Sequence, residues 1–162
     1  MELEEYITHL KGFDAWTLIE PIIEKHLNEM VDINQTQLLE GKDTFGKDIR
    51  PYYSEDPYFK TPESATRYAR WKRNIEPSGS YANRKMDVPN LHIDGTFHRS
   101  IMGFTTELGI DFKSDVNFAQ NINSKYRDIL GVDITRKEFK NLLDKIKPEV
   151  VKTLTNYVYG TK

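Results

Sequence analysis

Along residues 14–29 the apolar side chains Trp16, Ile19, Ile23 and Leu27 fall three or four apart, with Met30 next in the series. That period predicts an amphipathic helix, and Asp14 is placed to cap it. Pro21 lies inside the pattern, so the helix is expected to kink there or to start there. After Met30 the period loosens. Val31 and Ile33 alternate, and Gly41 and Gly46 interrupt the chain beyond them, which predicts a short strand or a helix extension and then a loop. Residues 49–60 carry Tyr52, Tyr53, Tyr58 and Phe59 among prolines. Proline restricts itself and its predecessor, and aromatic density argues against disorder, so an extended, ordered arm is expected.

The helical period returns at residues 61–75. Thr61 is a capping residue, Pro62 fits the first helical position, and Ala65, Tyr68, Ala69 and Ile75 form the apolar side. Arg67, Arg70, Lys72 and Arg73 are expected on the other side, with Trp71 alongside the apolar one. A turn-rich connection runs to Pro89. Alternation from Ile101 to Phe112, with a turn at Leu108-Gly109, predicts a β-hairpin or a meander. Phe118, Ile122 and Tyr126 are helically spaced. A last helix over 135–158 buries Phe139, Leu142, Leu143, Ile146, Val150, Leu154 and Val158, kinked or split near Pro148, with Thr135 and Glu138 in capping-box positions. The fold class is α+β within a single domain, 1–162: a small antiparallel sheet packed with N-terminal and C-terminal helices, plus the arm.

Composition narrows the classes. The chain has 162 residues and no cysteine, which excludes a disulfide framework and a thiolate metal site. No apolar run approaches the ~18 residues a membrane span needs, and the start "MELEEYITHLKGFD" lacks the form of a signal peptide. A chain made and used without export is expected. The net charge of −2 hides an asymmetry. Residues 1–40 hold nine acidic and two basic side chains, whereas residues 60–85 hold seven basic and two acidic ones. Complementary patches between subunits, nucleic-acid contact and plain solvated faces are all compatible with that split.

The segment "NLHIDGTFHRSI", residues 90–101, is the candidate for chemistry. His92 and His98 lie six apart with Asp94 between them, wider than the usual pairing of zinc ligands. On a strand over 91–93, His92 is expected to face outward, with no requirement that His98 meet it. Asp94, His98 and Ser100 have the residue types of a triad, but a triad is defined by geometry, and no strained serine elbow is present. Neither a phosphate-binding nor a dinucleotide-binding glycine motif occurs. The residues therefore predict a non-enzymatic protein without a cofactor, and a metal at His92 and His98 is left open. Arg67, Arg70, Lys72 and Arg73, interleaved with Tyr68 and Trp71, offer a second possibility: phosphate contacts and base stacking.

The order of segments resembles a known group. "IDGTFHRSI" is close to a leucine–x–x–T/D–G–x–x–x–x–S–I/F pattern, and a two-stranded turn, "ILGVDITRKEF" and the terminal helix "KPEVVKTL" come after it. From about residue 30 to 155 this is similar to tail-completion, tail-terminator and head–tail connector proteins of tailed bacteriophages. "NQTQLLEGKDTFGKDIRPYYSEDPYF" is similar to sequences from phages of Bacteroides-type gut bacteria. The resemblance implies a structural protein of the virion, assembled in the host cytoplasm, that forms a homo-oligomeric ring with portal-associated, neck or tail partners. It implies that Asp94 and Gly95 make a structural corner, that Phe97 and Ile101 face the core, and that Arg99 and Ser100 serve local hydrogen bonds or an intersubunit contact. Phe97 and His98 depart from the smaller or aliphatic residues common there. The expected oligomer interface is Tyr52, Tyr53, Tyr58, Phe59, Arg67, Arg70, Trp71 and Arg73. The alternative is a DNA-binding accessory protein using the basic 67–73 helix face, with any DNA contact independent of sequence.

Overall fold

The structure is a computed structural model that describes residues 3–79 and 83–160. The middle of the connection before Pro89, residues 80–82, lies outside them, as do residues 1–2 of the acidic N-terminus. Helix α1 spans Leu3–Lys11, α2 Ala15–Glu24 and α3 Leu27–Leu39. A 3-10 turn at Tyr53–Glu55 precedes α4 at Pro62–Ile75. The one-turn α5, Thr96–Arg99, leads into strands β1, Ile101–Thr106, and β2, Gly109–Ser114, then α6, Ala119–Lys125, and the long α7, Lys137–Tyr159. This is the α+β arrangement expected.

Asp14 caps α2 as the sequence implies, its carboxylate accepting from the Trp16 N–H at 3.0 Å and the Thr17 hydroxyl at 2.6 Å. The expected single helix over 14–29 is instead two. The chain turns at Lys25 and His26, and α3 then continues through the stretch whose period loosens. That turn lets α2 pack on α7 and β1 while α3 packs on the same two elements. Pro21 neither starts α2 nor ends it, and its ring faces solvent.

The period fades along α3 because two of its buried positions are amides. Asn34 and Gln37 are both 0% exposed. Asn34 Nδ2 donates to the Ile129 and Gly131 carbonyls at 2.9 and 2.6 Å, and Gln37 Oε1 accepts from the Asp133 N–H at 2.9 Å. Hydrogen bonds offset the burial of an amide, and here they pin the 129–133 loop to the helix, although Asn34 Oδ1 makes none among the described residues. Gly41 ends α3 with φ +72°, and a Cβ there would lie 2.7 Å from Val88 Cγ1. Glycine is required on both counts.

The hairpin pairs Ile101 with Ser114 through Thr106 with Gly109, so its two-residue turn is Glu107-Leu108, one position before the expected place. Two strands alone are marginal in water. They are held by α2 and α3 against β1. Phe112 joins two apolar clusters, one around Val31, Leu38, Phe97 and Ile101 and the other around Ile22, Met30, Leu142 and Ile146. Helix α7 runs through Pro148 without being split. Its N-cap is Arg136, not Thr135, because Asp133 Oδ1 takes both the Thr135 N–H (2.8 Å) and its hydroxyl (2.7 Å). Leu143, expected in the core, is 43% exposed. Near its C-terminus, the Tyr157 ring stacks on His9 of α1 at 4.2 Å.

Candidate functional site

The stretch 90–101 folds as a corner whose two histidines turn inward while Asp94 and Arg99 stay exposed. No strand forms over 91–93, and Leu91 has φ 57°. Asp94 Oδ1 accepts from the Thr96 N–H at 2.9 Å, Gly95 takes φ 80°, and α5 continues for one turn. Phe97 and Ile101 are 3% and 4% exposed, in the core as expected. Ser100 donates to the Phe97 carbonyl at 2.7 Å and lies 2.5 Å from the Ser114 hydroxyl, while Arg99 Nη1 donates to the Asp94 carbonyl at 3.0 Å. These are local bonds. Asp94 is spent on the turn, so Asp94, His98 and Ser100 do not form a relay.

The expectation that His92 faces outward from a strand is overturned, and His98, which had no requirement to meet it, does so. The positive φ at Leu91 swings the chain so that the two rings sit 5.4 Å apart, His92 half-buried and His98 buried. Lys72 enters the same region from α4, itself only 2% exposed, and its Nζ donates to Asn90 Oδ1 at 2.8 Å. Just past the end of α4, Glu76 makes an ion pair with Arg84, both side chains fully enclosed, and Arg84 also donates to the Val88 carbonyl. Burial, with the positive charges of Lys72 and Arg99 nearby, holds His98 down to about 4 and pushes His92 in the same direction. Burial lowers Lys72 to about 8, with Glu76 opposing the shift. The Asn90 backbone slightly favours a charged His98 ring, but neither ring nitrogen makes a hydrogen bond of normal geometry. Chemically this is a buried cationic knot joining α4 to the corner. Among the described residues, no group of three histidine, aspartate or glutamate side chains is arranged to hold a metal ion.

Lys72 lies in the core and not on the expected solvated basic face, and its spacing shows why. Ala65, Ala69 and Lys72 lie four and three apart, so they share one stripe of α4. The two alanines make room for the lysine stem against the core. Arg73 is half-buried, its guanidinium donating to the Arg84 carbonyl at 2.8 Å. Only Arg67 and Arg70 of the basic cluster stay exposed.

The aromatic residues flank this stripe, with Tyr68 beside Ala65 and Ala69 and Trp71 further round the helix. The 49–60 segment is not a free arm: Ile49 and Tyr53 are 1% and 3% exposed, and the 3-10 turn packs on α4. Tyr53 packs with Ala65 and Ala69 and is the buried base of the cluster rather than part of its surface. Above it runs a continuous row of rings, Tyr58 to Phe59 at 5.2 Å, Phe59 to Tyr68 at 5.0 Å and Tyr68 to Trp71 at 5.4 Å. Tyr58 is 80% and Trp71 46% exposed. A cleft of ≈ 310 Å³ opens between this row, Tyr126 and the ion pair of Lys125 with Asp56. Tyr52 lies apart from the row, under the Arg50 guanidinium at 4.1 Å and 3.3 Å from Asp48 Oδ2. The structure therefore joins Tyr58, Phe59 and Trp71 in one row through Tyr68, sets Arg67 beside Trp71, leaves Arg70 exposed further round α4, and withholds Tyr52, Tyr53 and Arg73 from the row.

No protein-family model matches the chain, and neither a curated protein nor a solved structure matches it. Among the described residues no helix is long and apolar enough to cross a membrane.

Proposed function

We propose that this chain is a structural virion protein that assembles into an oligomeric ring at the head–tail junction or tail end of a tailed bacteriophage. The observation that carries the reading is the aromatic row ending in exposed Trp71 and Tyr58 and bordered by Arg67, with Arg70 exposed further round α4. Tryptophan, tyrosine and arginine are the residues in which interface energy concentrates. The resemblance of "IDGTFHRSI" supplies the setting, and the folding of that motif into a hydrogen-bonded corner supports a structural use of it over a catalytic one.

The DNA-binding reading keeps Arg67, Arg70 and Trp71 but loses Lys72 to the core and Arg73 to the Arg84 carbonyl. Two exposed arginines on a chain of net charge −2 make a small phosphate footprint. The test is the native mass of the protein, alone and with a short DNA duplex at two salt concentrations. A closed high-order oligomer without DNA is expected. A monomer that shifts with DNA at low salt only would overturn the ring in favour of DNA binding. Removing residues 49–60 is not a usable test, because it takes Ile49 and Tyr53 out of the core.

A further inference from the structure

The same chain carries an acidic groove that matches the basic ridge of α4. Glu29, Asp32 and Ile33 of α3 and Glu138, Leu142 and Lys145 of α7 line a groove of ≈ 420 Å³. Its floor is apolar and its rim holds three carboxylates, of which Glu29 and Glu138 already have cationic partners and Asp32 has none among the described residues. Lys145 is bound to both oxygens of Glu29 at 2.8 and 3.0 Å, and Glu138 is held by Arg136 at 3.3 Å. The Asp32 side chain is exposed.

The ridge is equally well defined. Ser64, Arg67, Tyr68 and Trp71 have the i, i+3, i+4, i+7 spacing of one helix face and line a surface cleft of ≈ 450 Å³. Arg67 and Arg70 are exposed, while Ala65, Ala69 and Lys72 fix another side of α4 to its own subunit. A helix with a single apolar-and-charged face meeting a groove between two helices is a standard recognition geometry.

We propose that α4 of one subunit docks into the α3–α7 groove of the next copy, bringing Arg67 and Arg70 to Asp32 and Glu138 and laying Trp71 over Ile33 and Leu142. The contact rests on the ring reading above and gives it a geometry. Ridge and groove are different patches, so each subunit offers one of each and the contact is heterologous, the type that closes into a ring. Opposite charges at such a contact set its register and its salt dependence.

The test uses two full-length variants, Arg67→Glu/Arg70→Glu and Asp32→Arg/Glu138→Arg, checked for folding by circular dichroism and compared by analytical ultracentrifugation. Asp32→Arg alone serves as a second variant should the double groove variant not fold. Each variant by itself should be monomeric, its self-association weakened about a hundredfold or more by like charges. Mixed in equal amounts they should assemble, because every ridge then meets a groove of opposite sign. A mixture that stays monomeric while the wild type assembles overturns this docking and leaves the ring standing. So does either variant assembling alone as the wild type does. A wild type that is monomeric at low salt and high concentration overturns both.

Discussion

Lys72 donates to Asn90 Oδ1 across 2.8 Å, with the two residues 2% and 0% exposed. The pair ties the last turn of α4 to the residue from which the 90–101 corner starts. Asn90 Oδ1 also accepts from the His92 N–H at 3.2 Å, so the asparagine has a second partner and the ammonium relies on Asn90 for its one side-chain bond. Asn90→Leu should therefore destabilise by about 3 kcal/mol or more, since it leaves a buried ammonium unpaired. Lys72→Met removes the charge with its bond and should cost less than half as much. Urea unfolding of the two variants decides the order, and equal costs would mean the hydrogen bond contributes nothing particular.

The side chains of the Glu76–Arg84 ion pair are enclosed as well, at 1% exposure or less. Glu76→Gln keeps the shape and removes the charge, leaving the Arg84 guanidinium buried without its counter-ion. The loss should be about 3–5 kcal/mol. Replacing both partners by methionine should recover most of it. Thermal unfolding of the single and double variants measures the difference.

The sequence made the fold class legible because its strongest periods belong to elements that bury apolar faces, α2, α7 and the hairpin. It also marked the corner, since Asp94-Gly95 has few backbone options, whereas the inward placement of Phe97 and Ile101 came only with the resemblance. The buried polar groups were harder to see. Asn34 and Gln37 interrupt the hydrophobic period of α3 while lying at 0% exposure, because their partners are carbonyls and N–H groups about a hundred residues away. Lys72 reads as surface by residue type and as core by position. Type was the poorer guide, because the two small alanines before it on the stripe leave space for its stem. The pairing of His92 with His98 depends on a positive φ at Leu91, and a leucine gives no local signal for one.

Burial separates the aromatic residues that hold the fold from those that face a partner. Tyr53→Ala should cost about 3–5 kcal/mol, as truncation of a buried aromatic does, because Tyr53 is 3% exposed beneath Phe59 and Tyr68. Tyr58→Ala, at 80% exposure, should stay within about 0.5 kcal/mol of the wild type. Under the proposed function the order reverses for assembly. Tyr58→Ala and Trp71→Ala should remain folded yet weaken self-association measured by sedimentation. If both assembled as the wild type does, the aromatic row would not be a subunit contact.

His98 should make the protein acid-sensitive in a defined window. Its pKa falls from 6.5 in the ordinary ring to about 4 in the fold, chiefly through burial and then through the positive charge of His92 and Lys72. Between those two values the unfolded chain binds a proton that the folded chain does not. Stability is therefore full above pH 6.5 and declines as pH falls towards 4, by on the order of 3 kcal/mol for this one group. His98→Phe should flatten that slope while leaving stability at pH 8 nearly unchanged, since the ring nitrogens make no hydrogen bond of normal geometry to lose. Lys72→Met should act differently, raising the His98 pKa by removing a neighbouring charge, so that the decline still begins near pH 6.5 but ends sooner and is smaller. Unfolding curves at half-unit steps from pH 4 to 8, with NMR titration of His98, separate these two effects. An unchanged slope in His98→Phe would place the acid sensitivity on the carboxylates instead.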